Sequence, residues 1–168
     1  MTTKYKVIKT VEIERTLTGR LAEFTVISLE ETVQVRRREV QMTHIYWVPA
    51  GQRLDDEDNY LEPIDDPDLN LQADFREYRR RFGVLTPEAV REIRENYQLS
   101  LRQFAMVLGM SYSTLSEIEN GLVLQTDEQE SLFRLSQNTV AFATLVQAKK
   151  AIMSASQYEK IEQKVALA

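Results

Sequence analysis

Residues 99–121 read LSLRQFAMVLGMSYSTLSEIENG, and this stretch is the most informative about the fold of the C-terminal half of the chain. Ser100 is suited to cap a helix, and Gln103, three positions later, completes a capping box. Gly109 permits the left-handed backbone that a tight turn requires, and Ser111 is suited to cap a second helix. The stretch therefore predicts two short helices joined by a turn.

Apolar residues in the same stretch predict how the two helices pack. Phe104, Ala105 and Leu108 share one face of the first helix, where the small Ala105 allows a second helix to approach closely. Leu115 and Ile118 form the buried face of the second helix. Any two packed helices use caps and apolar faces, but the joint order of these features is far more restrictive.

This order of features, which ends in Glu119-Asn120-Gly121, resembles the helix-turn-helix of the Xre/Cro-type repressor family. In that family the second helix lies in the major groove of DNA, with its first residues at the base edges. The resemblance therefore implies that bases are read by Tyr112, Ser113, Ser116 and Glu117.

The same resemblance implies further roles outside the base-reading residues. Phosphate contacts are expected near Ser100, Arg102 and Asn120. The family also pairs an arginine of an earlier helix with the glutamate of Glu-Asn-Gly, which here are Arg94 and Glu119. We expect this ion pair to be structural, tying two helices together without touching DNA.

Two departures from the family concern charge and hydrogen bonding. The family often has a glutamine after the capping serine, whereas this chain has Leu101, which cannot donate to a phosphate. The second helix contains two glutamates and no lysine or arginine, although phosphate neutralisation supplies most nonspecific affinity for DNA. Positive charge must come from elsewhere, and we expect Arg79 and Arg80 to contact the DNA backbone. The local supply comprises Arg76, Arg79, Arg80, Arg81, Arg91, Arg94 and Arg102.

Two flanking patterns resemble MqsA-type antitoxins: FREYRRRFGVLT at 75–86 and SASQYEKI at 154–161. The resemblance covers roughly residues 72–165. In that family the N-terminal domain masks a toxin, while the C-terminal domain dimerises and represses its own operon, so the resemblance implies both activities here. The family usually binds zinc through two Cys-x-x-Cys pairs. This chain has no cysteine, so we expect no zinc role.

The N-terminal part has the alternation of apolar and polar residues that is typical of strands, as in Val11 and Ile13. We expect three to five antiparallel strands, with a hairpin turn at Thr18-Gly19 and an end at 49–51. Residues 55–70 follow with eight acidic and no basic side chains and two prolines, which disfavour a packed element and indicate a linker. The order of residues in this acidic stretch does not fit a calcium-binding EF-hand loop.

The remaining chain is predicted to be helical, with Thr86-Pro87 as a clear helix start. The predicted fold class is α+β: a small antiparallel β N-terminal domain, an acidic linker and an all-α helix-turn-helix domain. The predicted domains are 1–54, the linker 55–71, the helix-turn-helix domain with its preceding helix at 72–136, and C-terminal helices at 137–168 that could dimerise. Helices are expected near 72–82, 87–97, 101–108, 112–120, 127–135, 138–151 and 155–165.

Composition narrows the class of protein. The chain has no cysteine, one histidine and no apolar run of membrane-spanning length, so we expect a soluble cytoplasmic protein without a structural metal site. No catalytic motif is present, so we expect no enzymatic activity and no cofactor. His44 is more consistent with a packed or surface residue than with a catalytic base. Arg36-Arg37-Arg38 fits a solvated strand, or a contact with nucleic acid or an acidic partner.

Two functions follow as expectations. The first is a sequence-specific transcriptional regulator that binds double-stranded operator DNA as a homodimer, an antitoxin-like autorepressor of its own operon with a possible cognate toxin as partner. The alternative is a toxin-neutralising or adaptor module whose helix-turn-helix no longer binds DNA. The net charge of −5 argues mildly against nucleic-acid binding, although most of the acidity lies in residues 55–70.

Overall fold

The computed structural model of the protein describes residues 5–168. The chain forms two compact units, Met1–Tyr78 and Arg79–Ala168, and the division falls inside the helix Leu69–Phe82 (α1). The domain boundaries expected after residues 54, 71 and 136 stay a prediction. Within the described part of the chain, no helix is long and apolar enough to cross a membrane.

The first unit contains a three-stranded antiparallel sheet. Its strands are β1 (Tyr5–Glu14), β2 (Leu21–Val35) and β3 (Arg38–Pro49), and they lie in the order β1-β2-β3. The strand end at Pro49 agrees with the expected end of the sheet at 49–51. Together with the helical C-terminal region, this sheet confirms the predicted α+β fold.

Alternating apolar residues hold one face of the sheet together. Phe24 and Trp47 are buried with their ring centroids 5.6 Å apart, and Val11 and Ile13 pack against them. The turn between β1 and β2 includes Gly19, whose φ of 61° lies in the left-handed region that glycine adopts readily. The predicted hairpin turn is thereby confirmed.

Among the described residues, β2 pairs with β3 over a longer stretch than it pairs with β1. Strand β1 pairs with β2 as far as Leu29, whereas β2 and β3 stay paired to Val35 and Arg38. The loop between them consists of Arg36 and Arg37, with φ values of 46° and 64°. A left-handed backbone costs an L-residue other than glycine roughly 1–2 kcal/mol, so this turn stores strain.

The prediction that residues 55–70 lack packed structure is wrong. A 3₁₀ helix spans Glu57–Asn59, and the backbone of Leu61 pairs with that of Trp47 through N–H···O bonds of 2.9 and 3.0 Å. The rings of Tyr46 and Tyr60 stack with their centroids 5.2 Å apart. These backbone and aromatic contacts offset the repulsion among the carboxylates. The following helix α1 also begins three residues earlier than expected.

His44 is the centre of a polar network in this unit. It is 5% exposed, and its ring nitrogens lie 2.8 Å from a carboxylate oxygen of Glu31 on β2 and 2.8 Å from one of Asp74 on α1. The Tyr46 hydroxyl donates to the same Glu31 oxygen at 2.8 Å. Asn70 on α1 adds hydrogen bonds to the Ile45 backbone. The network therefore joins the first part of α1 to the sheet.

Residues 5–168 form seven α-helices. The first, α1, crosses the boundary between the two units, and the other six lie in the second unit. Their bounds agree with the predicted helices to within three residues at each end, and a short 3₁₀ helix, Lys150–Ile152, replaces the predicted end of the sixth. The helices are α1 (Leu69–Phe82), α2 (Pro87–Asn96), α3 (Leu101–Leu108), α4 (Tyr112–Glu119), α5 (Asp127–Ser136), α6 (Thr139–Ala148) and α7 (Ala155–Ala166).

One hydrophobic core extends from α2 to α7 in the second unit. Phe104 and Phe133 are fully buried with ring centroids 6.4 Å apart, and Tyr97 stacks on Phe142 with centroids 4.3 Å apart. Ile161 brings α7 into the same core. The C-terminal helices therefore stabilise α3 directly, because Phe133 and Phe142 pack against Phe104, while α4 packs on α2 and α3.

The His44 network predicts a pH-dependent stability. Burial lowers the pKa of His44, but hydrogen bonds from its ring to Asp74 and Glu31 raise it, and the result lies above the ordinary value of 6.5. Because the folded-state pKa is the higher one, protonated His44 stabilises the fold fully below about pH 6.5, and this contribution is lost as the pH rises through the folded-state pKa.

We therefore expect His44→Gln to destabilise the protein by about 1–3 kcal/mol at about pH 6, and by less at about pH 9. Thermal unfolding of both proteins across this range measures the difference. A difference that stays constant with pH would contradict the charged state assigned to His44.

Candidate nucleic-acid interface

The backbone around α3 and α4 is set by the caps that the sequence predicted. Ser100 Oγ accepts a hydrogen bond from the Gln103 N–H at 3.2 Å, and Gln103 Oε1 accepts from the Ser100 N–H at 3.0 Å, which confirms the capping box. Gly109 ends α3 with a φ of 72°. Ser111 Oγ caps α4 by accepting from the Thr114 N–H at 3.1 Å. These contacts fix the angle at which α4 leaves the turn.

Burial divides α4 into two faces. Leu115 and Ile118 are fully buried against the core, as predicted. The opposite face presents Tyr112, Ser113 and Glu117 to solvent. Three of the four predicted base-reading residues therefore lie on an open surface. Whether they contact bases stays a prediction.

Glu119, the last residue of α4, is 4% exposed and is held by arginines of α2. Arg94 donates to its two carboxylate oxygens at 2.8 Å each, which is bidentate geometry. The hydrogen bonds to Glu119 raise the pKa of Arg94 above its ordinary value. Arg91 Nε lies 3.5 Å from the same carboxylate, and Arg94 also donates to the Leu99 carbonyl. The expected structural pair of Arg94 and Glu119 is thus present in the fold.

This ion pair changes the electrostatics of α4. The helix contains two glutamates and no basic residue, which suggests a surface that repels phosphates. However, Glu119 is buried and paired with Arg94, so its charge is neutralised within the protein. Glu117 then carries the exposed negative charge of α4. The surface is less acidic than the sequence alone indicates.

Arg102 on α3 and Tyr112 on α4 form one feature of the surface. The guanidinium carbon of Arg102 lies 4.7 Å from the centroid of the Tyr112 ring, within the range of a cation–π contact. Both side chains are exposed, Tyr112 to 48%. A residue expected at the bases and a residue expected at the phosphates are therefore stacked on each other. Neither this contact nor its geometry follows from the sequence alone.

The other polar residues of the surface are already partly engaged. Ser113 Oγ lies 3.0 Å from Ser111 Oγ, so its hydroxyl belongs to a small cluster at the start of α4. Ser116 is half-buried, and its carbonyl accepts from Asn120 Nδ2 at 2.8 Å. Asn120 therefore caps the end of α4 with its amide, although its side chain stays exposed. Ser100 is exposed as well, with its hydroxyl and N–H in the capping box.

The two arginines of α1 that were expected to contact the DNA backbone differ in burial. Arg79 is 2% exposed, and its guanidinium donates to the Val123 carbonyl at 2.7 Å and to Gln125 Oε1 at 3.3 Å. A backbone contact for Arg79 is therefore a wrong expectation, because this side chain stabilises the segment after α4 from inside the protein. Arg80, by contrast, is exposed.

Comparison with known proteins agrees with this geometry. Residues 90–128 match the model of the helix-turn-helix family, and this range begins in α2 and ends at the start of α5. Helix-turn-helix units bind duplex DNA with their second helix in the major groove. No curated protein and no solved structure matches the chain.

The buried ion pair predicts a large difference between two glutamates of the same helix. Glu119→Gln leaves Arg94 without its carboxylate partner and is expected to destabilise the protein by about 3–5 kcal/mol. Glu117→Gln removes the same charge from an exposed site and is expected to change stability by less than about 0.5 kcal/mol. Denaturant unfolding of both variants measures the difference, and equal effects would contradict the structural role of Glu119.

Proposed function

We propose that the protein is a sequence-specific transcriptional regulator that binds double-stranded DNA through α4. The observation that carries the proposal is the exposed Arg102–Tyr112 stack at the start of a helix-turn-helix. It places a fixed positive charge beside the side chains that would reach the bases. The match to the helix-turn-helix family over residues 90–128 supports the same function.

In this proposal, the exposed residues of α4 read the major groove. The Tyr112 ring offers an apolar contact for a thymine methyl group, and the Ser113 hydroxyl can donate to or accept from a base edge. Glu117 accepts from the exocyclic amine of cytosine. Ser116, which is half-buried, contributes only if the groove wall comes close to it. The operator would therefore contain at least one cytosine opposite Glu117.

The phosphate contacts flank these residues. Arg102 is the strongest candidate, because it is exposed and its guanidinium is already oriented by Tyr112. Ser100, Asn120 and Arg80 are exposed candidates for additional contacts. Loss of Arg79 from this set reduces the positive charge near α4, which makes a second protomer on the DNA more important for affinity.

We further propose that the protein binds its operator as a homodimer, as readers of two-fold symmetric sites do. Apolar side chains on the C-terminal helices support this proposal in part. Val140 is 76% exposed, and Ile152 is also exposed, whereas Ala143 and Leu145 are half-buried. Val140, Ala143 and residues of α7, including Tyr158 and Val165, line a shallow apolar groove. A second copy that covers this groove would remove apolar surface from water.

The finer proposal is an antitoxin-like autorepressor. The resemblance of residues 75–86 and 154–161 to MqsA-type antitoxins supports it. The dimer would block polymerase access to its own promoter, and the sheet of the first unit would bind a cognate toxin. A small toxin-like gene next to the gene of this protein, whose product co-purifies with the full chain, would support the toxin-binding part.

A second candidate is a toxin-neutralising or adaptor module that has lost DNA binding. Residues 86–121 contain three arginines and five glutamates, a net charge of −2, which favours this alternative. The two candidates differ in one measurable property, namely affinity for duplex DNA at low ionic strength.

Arg102→Ala tests the proposed DNA contact. The wild-type protein is expected to shift a duplex that carries its own upstream region. The variant should bind every sequence more weakly and lower the slope of log affinity against log salt by about 1. Lys160→Ala, at an exposed position of α7, removes the same charge and serves as the control. Absence of a shift by the wild-type protein at low ionic strength would refute DNA binding and leave the adaptor function.

Val140→Glu tests the proposed dimer. A buried charge at the centre of the interface is costly without a partner, so the variant should be a monomer under conditions in which the wild-type protein is a dimer. Light scattering after size-exclusion chromatography measures the mass. Gln163→Glu, an exposed position of α7, is expected to leave the mass unchanged. A wild-type monomer at high concentration would contradict the interface.

A further inference from the structure

The turn between β2 and β3 has a backbone that its residues do not favour. Arg36 and Arg37 are the two loop residues, and both have positive φ, at 46° and 64°. Two-residue hairpin loops with positive φ at both positions normally contain Asn-Gly, Asp-Gly or Gly-Gly, since asparagine and glycine adopt this backbone readily. Here two arginines occupy it. The sequence therefore places a guanidinium at both positions despite the strain.

The strained turn lies at the tip of the β2–β3 hairpin. Among the described residues, the pairing of β1 ends at Tyr5 and Leu29, whereas β2 and β3 continue for six further residue pairs, from Glu30↔Thr43 to Val35↔Arg38. At about 3.3 Å per residue these six pairs span about 20 Å. One face is anchored, because Val35 and Val40 are buried. The tip itself, with Arg36 and Arg37, is exposed.

Arg38 completes the tip. Its guanidinium carbon lies 6.0 Å from the ring centroid of Tyr78 on α1, within the same unit. This contact anchors the base of the turn against a helix, so that the two loop arginines are presented from a fixed support. Next to the turn, the cross-strand partners Gln34 and Glu39 are joined by a hydrogen bond that Gln34 Nε2 donates to Glu39 Oε1 at 3.1 Å. Residues 34–41 contain three arginines and one glutamate, a net charge of +2.

We propose that the Arg36–Arg38 tip binds the phosphate backbone of duplex DNA, as a contact separate from α4. The planar guanidinium group binds phosphate oxygens in a bidentate manner, which gives arginine a role at two positions where the backbone favours asparagine and glycine. The tip also provides positive charge that α4 lacks. This inference rests on the proposed function for its choice of duplex DNA, and it adds a contact on the N-terminal unit.

The choice of DNA over an acidic protein follows from charge. A helix-turn-helix with a net charge of −2 over residues 86–121 needs phosphate contacts from other parts of the chain. The tip meets this need without contributing to sequence preference, because phosphate contacts position a protein on DNA and do not read the sequence. If the partner is an acidic protein segment instead, the tip will bind polyglutamate.

The test replaces the strained turn with the residues that its backbone favours. The double variant Arg36→Asn/Arg37→Gly is expected to raise the thermal unfolding midpoint, so a loss of binding cannot be attributed to misfolding. Two lost phosphate contacts should lower the salt slope of duplex binding by about 2. The loss of affinity between about 50 and about 200 mM salt should then be smaller by about tenfold. The matched control, Arg36→Lys/Arg37→Lys, keeps the charge and should retain most of the slope.

The outcomes separate this inference from the proposed function. If the wild-type protein prefers its upstream duplex over a scrambled duplex and the Asn-Gly variant binds with an unchanged salt slope, the proposed tip contact is wrong and the proposed regulator function is supported. If the wild-type protein shows no preference but the Asn-Gly variant has a smaller salt slope, the tip contact is supported and the sequence-specific function is wrong. No binding by wild type at low salt overturns both. Unchanged DNA binding with lost binding of polyglutamate assigns the tip to an acidic protein instead.

Discussion

The buried ion pair between Arg94 and Glu119 is the constraint on which the proposed interface depends. A carboxylate with 4% exposure is tolerated because Arg94 meets it with two hydrogen bonds and Arg91 lies beside it. The pair ties α2 to the end of α4, and Ser111 fixes the start of the same helix. Both ends of α4 are therefore held by polar contacts, while Leu115 and Ile118 hold its middle. The pair also removes one of the two negative charges that the sequence places on this helix. The ion pair of Arg94 and Glu119 therefore determines both the position of α4 and the charge on its exposed face.

The parts of the fold that were predictable from the sequence are those set by neighbours in the chain. The cap at Ser100 and the left-handed Gly109 depend on residues a few positions away, so the helix bounds were predicted closely. The acidic stretch was predicted wrongly, because its order comes from the pairing of Leu61 with Trp47, which are distant in sequence. Arg79 was misassigned for the same reason, since its partner Gln125 lies on a remote segment. Composition shows charge, but it does not show which charges become buried.

The positive charge that we propose to contact DNA is distributed differently from the sequence-based expectation. The sequence indicated arginines of α1, α2 and α3 as the compensating charge, with Arg79, Arg80 and Arg102 at the phosphates. In the structure, Arg79 stabilises the protein interior and Arg102 is oriented by Tyr112 as well as exposed, while further arginines lie at the strained tip of the β2–β3 hairpin. Each of these arrangements restricts a flexible side chain or its backbone before any partner is bound. Such preorganisation lowers the entropy that is lost on binding, and it gives a helix without basic residues a physical route to DNA affinity.

We propose that the exposed face of α4 contacts duplex DNA. Hydrogen–deuterium exchange of the whole chain, with and without a duplex that carries its own upstream region, measures this contact along the sequence. The expected result is slower exchange at the start of α3 and at the start of α4, from Ser111 to Glu117, with unchanged exchange in α7. Protection confined to other parts of the chain, with α4 unaffected by saturating duplex, would contradict it.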